Sequence, residues 1–359
     1  MKKLLFTAYN LDLGGIEKAL VNLLSNLSEQ YDITLILEKK EGIFLDLLPK
    51  NIKVLEYSIC EDKNILLRKI KNRLKLIMWK IKLFHKYDFS CSFATYSIPG
   101  SHLARAASSN NTLWMHANYY IDYGRDEEKL SWFLNQIFIK EFKRIVFVSE
   151  ENKIDINNHF KGIENKSIVC NNIIDGDEII NKSLEKCDYK RKNIPLLVNV
   201  GRHEEHQKKI TRIIEASKKL INEGYQFQII FVGDGPDHEY YKKMIKEYKL
   251  DKYLIFLGRK KNPYPYYKIA DAVILSSEYE GYPVVFLESL VLNKPILSTK
   301  VSDYKDIIDY GIFDECTVQG VYKMMKKYFD EGFVLKAKFD YKQFNQNIID
   351  KVNKMIDNK

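Results

Sequence analysis

Apolar residues along this chain fall in short unbroken runs, separated by longer stretches where they recur every three or four positions. Residues 4–8, 33–37, 89–94, 112–115, 145–149 and 167–170 are such runs, and residues 16–27 have helical spacing. Runs rather than strict alternation mean strands buried on both faces, so the pattern predicts parallel sheets covered by helices. The second half repeats it. Strands are predicted to end at Val200-Gly201, Val232-Gly233 and Leu257-Gly258, with further strands over 272–275 and 295–298 and a helix over 210–220. A glycine at three strand ends suggests backbone held close to a ligand at the carboxyl edge of a sheet, although a tight turn would explain any one of them. Residues 175–195 are polar and aperiodic and predict a linker. Residues 341–356 predict a last helix with Phe344, Ile348, Val352 and Ile356 on one face.

Length and composition narrow the class. At 359 residues the chain is too long for one ordinary core and suits two. A net charge of +9 is modest at this length, and no RRM, helix-turn-helix or zinc-finger spacing accompanies it, so a nucleic-acid partner is not expected. Cys60, Cys91, Cys170, Cys187 and Cys316 are scattered and odd in number, which fits reduced thiols in the cytosol. The apolar start ends by Tyr9-Asn10, short of a signal-peptide core. No stretch offers the ~18 uninterrupted apolar residues of a membrane span. The expected location is cytoplasmic, with contact to the inner face of the cell membrane.

The candidate chemistry centres on Glu280-Gly281-Tyr282-Pro283, which follows a strand and opens a helix carrying Glu288. Gly281 lets backbone approach a ligand, and the free N–H groups of a helix start favour an anion. Two carboxylates flanking an anion site suit a nucleotide sugar, with hydroxyls at both ends and a diphosphate between; taken alone, both could be ordinary surface acids. Arg202, just past a strand end, and Lys208-Lys209, just before a helix, can converge on the same diphosphate and offset charge on a leaving nucleoside diphosphate. Asp175-Gly176-Asp177 is formally a DxD metal motif but has no strand leading into it and reads as a turn. No metal site and no cofactor are expected.

Taken together, these segments resemble the retaining glycosyltransferases that share the E-x7-E motif and the GT-B fold. The resemblance rests on Val200-Gly201-Arg202, Phe231-Val232-Gly233-Asp234-Gly235-Pro236, Phe256-Leu257-Gly258 and Asn262-Pro263-Tyr264-Pro265, then Leu275-Ser276-Ser277, Glu280-Gly281-Tyr282-Pro283 and Pro295-Ile296-Leu297-Ser298-Thr299, all in order. In the first half Gly14-Gly15-Ile16-Glu17 and Asn172-Ile173-Ile174-Asp175 also match. The resemblance implies two doubly wound Rossmann-like α/β domains facing across a cleft. An acceptor domain would span 1–178, with helix 340–359 packing back on it, and a nucleotide-sugar domain 179–339. It implies that Arg202 and Lys208 hold the donor diphosphate, that Glu280 contacts the transferred sugar and that Glu288 binds ribose hydroxyls. Gly14 and Gly15 would form a glycine loop near phosphate or acceptor, His116 would face the donor sugar, and Gly201, Gly281 and Tyr282 would complete the donor set. His116 beside Trp114 and Met115 can equally be a packed core residue.

The implied activity is metal-independent, retaining transfer from a UDP-sugar to a saccharide or lipid-linked saccharide in cell-surface polysaccharide assembly. An epimerase or phosphorylase on the same fold, or an inactive binding partner, are the alternatives; a dinucleotide dehydrogenase is not expected, because Gly14-Gly15 is no GxGxxG and no strand-borne acid is read at ribose distance after it. Three departures from the family pattern stand out. The Arg202-to-lysine spacing is one residue long, leaving Lys209 as an alternative to Lys208; Asn293 stands where glycine is usual; and Val301-Ser302-Asp303-Tyr304 replaces a glycine-rich loop. Finally, the stretch from Lys63 to Lys86 inclusive contains nine Lys or Arg residues and no acid, interleaved with apolar residues at helical spacing. That stretch predicts a basic helix that either packs on the first domain, touches anionic lipid, with Trp79 at the interface, or does both.

Overall fold

The computed structural model describes residues 1–12 and 14–358. The apolar runs assemble into two sheets in which every described strand pair is parallel. One contains β1 (Lys3–Ala8), β2 (Asp32–Leu37), β3 (Lys53–Glu56), β4 (Phe89–Ser92), β5 (Asn111–Met115), β6 (Arg144–Phe147) and β7 (Ser167–Val169), in the order β3-β2-β1-β4-β5-β6-β7. The other contains β8 (Leu196–Val200), β9 (Gln228–Val232), β10 (Leu254–Gly258), β11 (Ala272–Leu275), β12 (Ile296–Thr299) and β13 (Gly311–Asp314), in the order β10-β9-β8-β11-β12-β13. Each is doubly wound. The strand order reverses beside β1 in the first sheet and beside β8 in the second, and ligands of such sheets bind at the carboxyl ends there.

Alternation along each strand sends neighbours to opposite faces, and both faces are covered. Leu197, Ile229, Phe231, Ile274 and Leu297 pack with Ile213, Ile214 and Leu220 on one side of the second sheet. Leu196, Val198, Val273 and Leu275 pack with Tyr267, Phe286 and Leu290 on the other. The register Leu197↔Ile229 and Ala272↔Leu197 brings the ends of β8, β9 and β11 level.

Two compact units result: Met1–Ile173 with Phe344–Lys359, and Ile174–Gln343. The last helix, Tyr341–Ile356, buries Ile348, Ile349, Val352, Met355 and Ile356. It is fastened to the first unit by Tyr31 Oη donating to Asn353 (3.0 Å) and by Asn110 Nδ2 donating to the Met355 and Ile356 carbonyls (3.1 Å each). The expected linker is in part structured. Its residues 176–183 form the helix Gly176–Ser183, whose N-cap Asp175 accepts from Glu178 N at 2.8 Å. The DxD is therefore a helix start rather than a turn, and Asp177 accepts from Tyr341 Oη at 2.7 Å. Asn293 and Ser302 both adopt left-handed backbone (φ +53° and +54°). That accounts for glycine being usual at or near these places, and Ser302 offsets the cost by donating to the Gly281 carbonyl at 2.6 Å.

Candidate active site

At the carboxyl ends of β8 and β11, three segments meet. The chain leaves β8 through Gly201, forms one helical turn at Glu205–Lys208, and breaks at Lys209, whose backbone is left-handed (φ +49°). Ser276 Oγ, just past β11, bonds the carbonyls of Lys208 and Lys209 at 2.9 Å each and fixes this break. Lys208 is thereby aimed inward. Its Nζ lies 2.5 Å from Glu280 Oε1, and its stem passes over Gly201, where a β-carbon would touch it. Glu280 is buried, and it also accepts from Ser277 Oγ (2.7 Å) and Gln207 Nε2 (3.3 Å). A carboxylate so enclosed requires such partners.

Arg202, in contrast, is largely exposed and only loosely paired with Glu204 (3.6 Å), so its guanidinium can turn to an anion. A β-carbon on Gly233 would overlap the Gly201 carbonyl, so the loops after β8 and β9 touch backbone to backbone. Arg212 braces the floor through the Ser276 carbonyl (3.0 Å) and an ion pair with Glu278.

Glu288 lies in the helix Val284–Val291, a little over one turn in. A separate network holds it: Tyr267 Oη donates at 2.5 Å, and Tyr264 bonds it as well. Burial and the Glu288 charge together push both tyrosine hydroxyls well above their usual range, so they remain donors. Tyr282 is buried, its hydroxyl likewise raised by burial, and Gly281 is tied by its carbonyl to Ser302. The structure thus brings Gly201, Lys208 and Glu280 into one cluster and gives Glu288 its own. Ser277, Gln207 and Ser276 were not singled out as site residues in the sequence, although Leu275-Ser276-Ser277 carried a signal.

The first unit holds the remaining candidates. Gly14 caps the helix Gly15–Leu27 with extended backbone, and the Glu17 carboxylate folds over it, taking a bond from Tyr96 Oη at 2.8 Å. His116, just past β5, is buried between Phe93 (ring centroids 4.5 Å apart) and Trp114. Burial pushes its pKa down to about 3, so the imidazole is neutral at physiological pH.

Glu38 was missed in the sequence. It directly follows β2, and it is buried with Ser97 Oγ donating at 2.5 Å. Burial raises its pKa. With Tyr9, Tyr96, Ile98 and Pro99 it lines a cavity of about 200 Å³ at the β1/β4 reversal. That is small beside the ~300–1,000 Å³ of drug-sized sites and suits one edge of a ring rather than a whole oligosaccharide. The available signal was an acid at the carboxyl end of an apolar strand.

Comparison with known proteins fits this geometry. A family model described as glycosyl transferases group 1 matches residues 185–354. An uncharacterised glycosyltransferase of Methanocaldococcus jannaschii is 28% identical over 245 residues, 63% of this chain and 59% of that protein; the chain therefore spans about three-fifths of that relative. The N-acetylgalactosamine-N,N'-diacetylbacillosaminyl-diphospho-undecaprenol 4-alpha-N-acetylgalactosaminyltransferase of Campylobacter jejuni is 25% identical over 305 residues, 83% of this chain and 81% of that one. Among solved structures, Anabaena HepE with UDP and glucose superposes with a TM-score of 0.77 at 16% identity, over 98% of this chain and 100% of that one. Staphylococcus aureus TarM, with UDP bound, gives 0.74 at 12% identity, over 99% and 100%. The fold is that of the GT-B glycosyltransferases, two Rossmann-like domains with parallel sheets, and the match to the group 1 model is confined to residues 185–354.

Proposed function

We propose that this chain is a retaining, metal-independent glycosyltransferase that takes a sugar from a UDP-sugar. The acceptor is a saccharide or lipid-linked saccharide of cell-surface polysaccharide assembly. The observation that carries the reading is the Lys208–Glu280 pair beside Gly201 at the ends of β8 and β11. It supplies a cation for a leaving diphosphate and a carboxylate for the transferred sugar on one preorganised floor. Arg202 adds a second, mobile cation, and Glu288 with its two tyrosines offers a hydroxyl-binding cluster for the ribose. His116 is neutral, so its contribution is hydrogen bonding rather than proton transfer. The Glu38 cavity is the candidate foothold for the acceptor. UDP and glucose in the HepE structure, and the undecaprenol-linked acceptor in the name of the Campylobacter relative, favour the donor and acceptor classes.

The test is turnover in EDTA with a panel of UDP-, GDP- and ADP-sugars, with the product anomer read by NMR. A UDP-sugar should react and give an α-linkage from the α-donor. A β-linked product would refute retention, activity lost in chelator and restored by Mn²⁺ would refute metal independence, and no binding of any donor would refute the transferase reading.

Membrane contact belongs to the same proposal. No helix among the described residues is long and apolar enough to cross a bilayer. The helix Ile65–Leu83 buries only Leu83 fully and packs Leu76 and Trp79 against the first unit. Trp79 stands edge-on to Tyr57 (5.7 Å), so it is an anchor into the domain and not the interfacial residue expected. On the far side Leu66, Ile70, Leu74, Ile77, Ile81 and Phe84 recur at helical spacing, all close to half exposed or more. By helical spacing Lys69, Arg73 and Lys80 run along one edge of that stripe, the geometry of a helix lying in a lipid surface. Lys71 and Lys75 are engaged by Asp62 and Ser58. Changing Lys69, Arg73 and Lys80 to Gln should sharply weaken co-sedimentation with anionic vesicles at low salt and leave the circular dichroism unchanged. Binding that is insensitive to these changes and to salt would mean the charges contribute nothing.

A further inference from the structure

The loops after β8 and β9 hold a second group of side chains that the donor site does not use. His203, one residue past Arg202, is completely buried, and its backbone is clamped by the 234–237 loop. His203 N donates to the Asp234 carbonyl (3.0 Å), Asp237 N donates to the His203 carbonyl (3.1 Å), and a β-carbon on Gly235 would overlap the His203 backbone. Asp237 in turn accepts from Glu205 N at 2.8 Å. The clamp fixes the ring. His203 and His238 lie parallel (3° between planes), each with Phe256 edge-on at 5.0 Å, and their Nδ1 atoms face each other at 2.7 Å. Asp234 Oδ1 is 3.6 Å from His238 Nδ1, and it also accepts from Gly235 N at 2.8 Å. The three donor atoms lie within 4.8 Å of one another.

Two facing Nδ1 atoms satisfy each other only if one carries a proton, whereas a cation between them takes both lone pairs and the carboxylate. We propose that His203, Asp234 and His238 bind one divalent first-row transition-metal ion. Two nitrogens on a metal at ~2.1 Å and ~90° stand ~3 Å apart, so the rings part by a few tenths of an ångström and turn until both lone pairs meet at the ion. Two imidazole nitrogens and a carboxylate suit ions such as Co²⁺, Ni²⁺, Cu²⁺ or Zn²⁺. Asp234 is exposed, which leaves an entry path and room for waters on the remaining positions. The ion ties the loop bearing Arg202 to the loop of Gly233, a structural role beside the donor floor rather than part of the transfer. That last consequence rests on the donor reading; the binding does not.

The test uses untagged, chelator-stripped full-length protein titrated with Co²⁺ and followed by visible d–d absorption, with Ni²⁺ calorimetry alongside. One equivalent per chain should saturate the signal. His238→Gln and Asp234→Asn, both on partly exposed side chains, should each weaken binding at least about tenfold. His206→Gln, whose ring lies against Tyr279 instead, should not. Parent-like binding by His238→Gln, or no saturation below ~1 mM, a bound weaker than any specific site warrants, would overturn the proposal. UDP affinity measured on the stripped protein separates the two readings: UDP binding without Co²⁺ binding sinks only the ion site, and the reverse sinks only the donor site.

Discussion

Lys208→Ala should reduce turnover by about 10²–10³-fold, the usual cost of removing one preorganised group that stabilises developing charge. Two effects add. On the proposed donor reading the leaving diphosphate loses the cation that lies over Gly201, and Glu280 is left buried with only Ser277 and Gln207 as partners. Because Lys208 is itself partly exposed (22%), water can enter the gap. The folding cost should therefore fall below the ~3–5 kcal/mol of breaking a fully buried pair, nearer ~1–2 kcal/mol. Lys208→Gln, which keeps a donor toward Glu280 but no charge, should recover most of the melting temperature and little of the rate. Lys209→Ala should be mild, because what fixes the loop there is the Lys209 carbonyl held by Ser276. Steady-state kinetics with melting curves decide the matter: a severe Lys209→Ala beside a mild Lys208→Ala would transfer the diphosphate role to Lys209.

The second large effect separates the two glutamates. Glu280→Gln should lower kcat by about 10²-fold and change the donor KM less, because a carboxylate beside the reacting sugar counts most as charge develops. Ser277 and Gln207 can still bond the amide, so the fold should hold. Glu288→Gln should mainly raise the donor KM, as loss of uniform binding does. It also weakens two charge-assisted bonds from Tyr264 and Tyr267, which should cost ~1–2 kcal/mol of stability. Matching circular dichroism is required for the comparison. If both variants turn over within about twofold of the parent, under ~1 kcal/mol on the barrier, neither carboxylate has its assigned role and the catalytic site lies elsewhere.

Much of this was legible from the residues. Buried parallel strands write themselves as apolar runs, so most of both sheets and the helix Tyr341–Ile356 are predictable to within a residue or two. The strands missed, β3 and β13, are edge strands that are only partly buried, so no apolar run marks them. The helix Gly176–Ser183 escaped because it buries only Gly176, Ile179 and Ser183, too few for a period. Its true signal was the N-cap Asp175. Trp79 was assigned to the wrong side because the helix Ile65–Leu83 is apolar on two faces, and spacing cannot say which one the domain takes.

What the sequence by itself determined is the alternation of elements, the glycines at the ends of β8, β9 and β10, and the presence of two carboxylates and three cations near those ends. Each follows from local chemistry: periodicity, backbone freedom, or charge at a predicted helix start. What only the tertiary structure decided is which of these groups meet. Lys208, not Lys209, reaches Glu280 because the left-handed backbone at Lys209 and the Ser276 hydroxyl turn the chain between them. Glu38 becomes a buried cavity wall because Ser97, fifty-nine positions away, closes over it. His203 and His238 face each other because two loops from adjacent parallel strands must leave the same edge of the sheet. Sequence separation carries no information about such pairs, since the register of a sheet, set by burial of whole strands, brings them together.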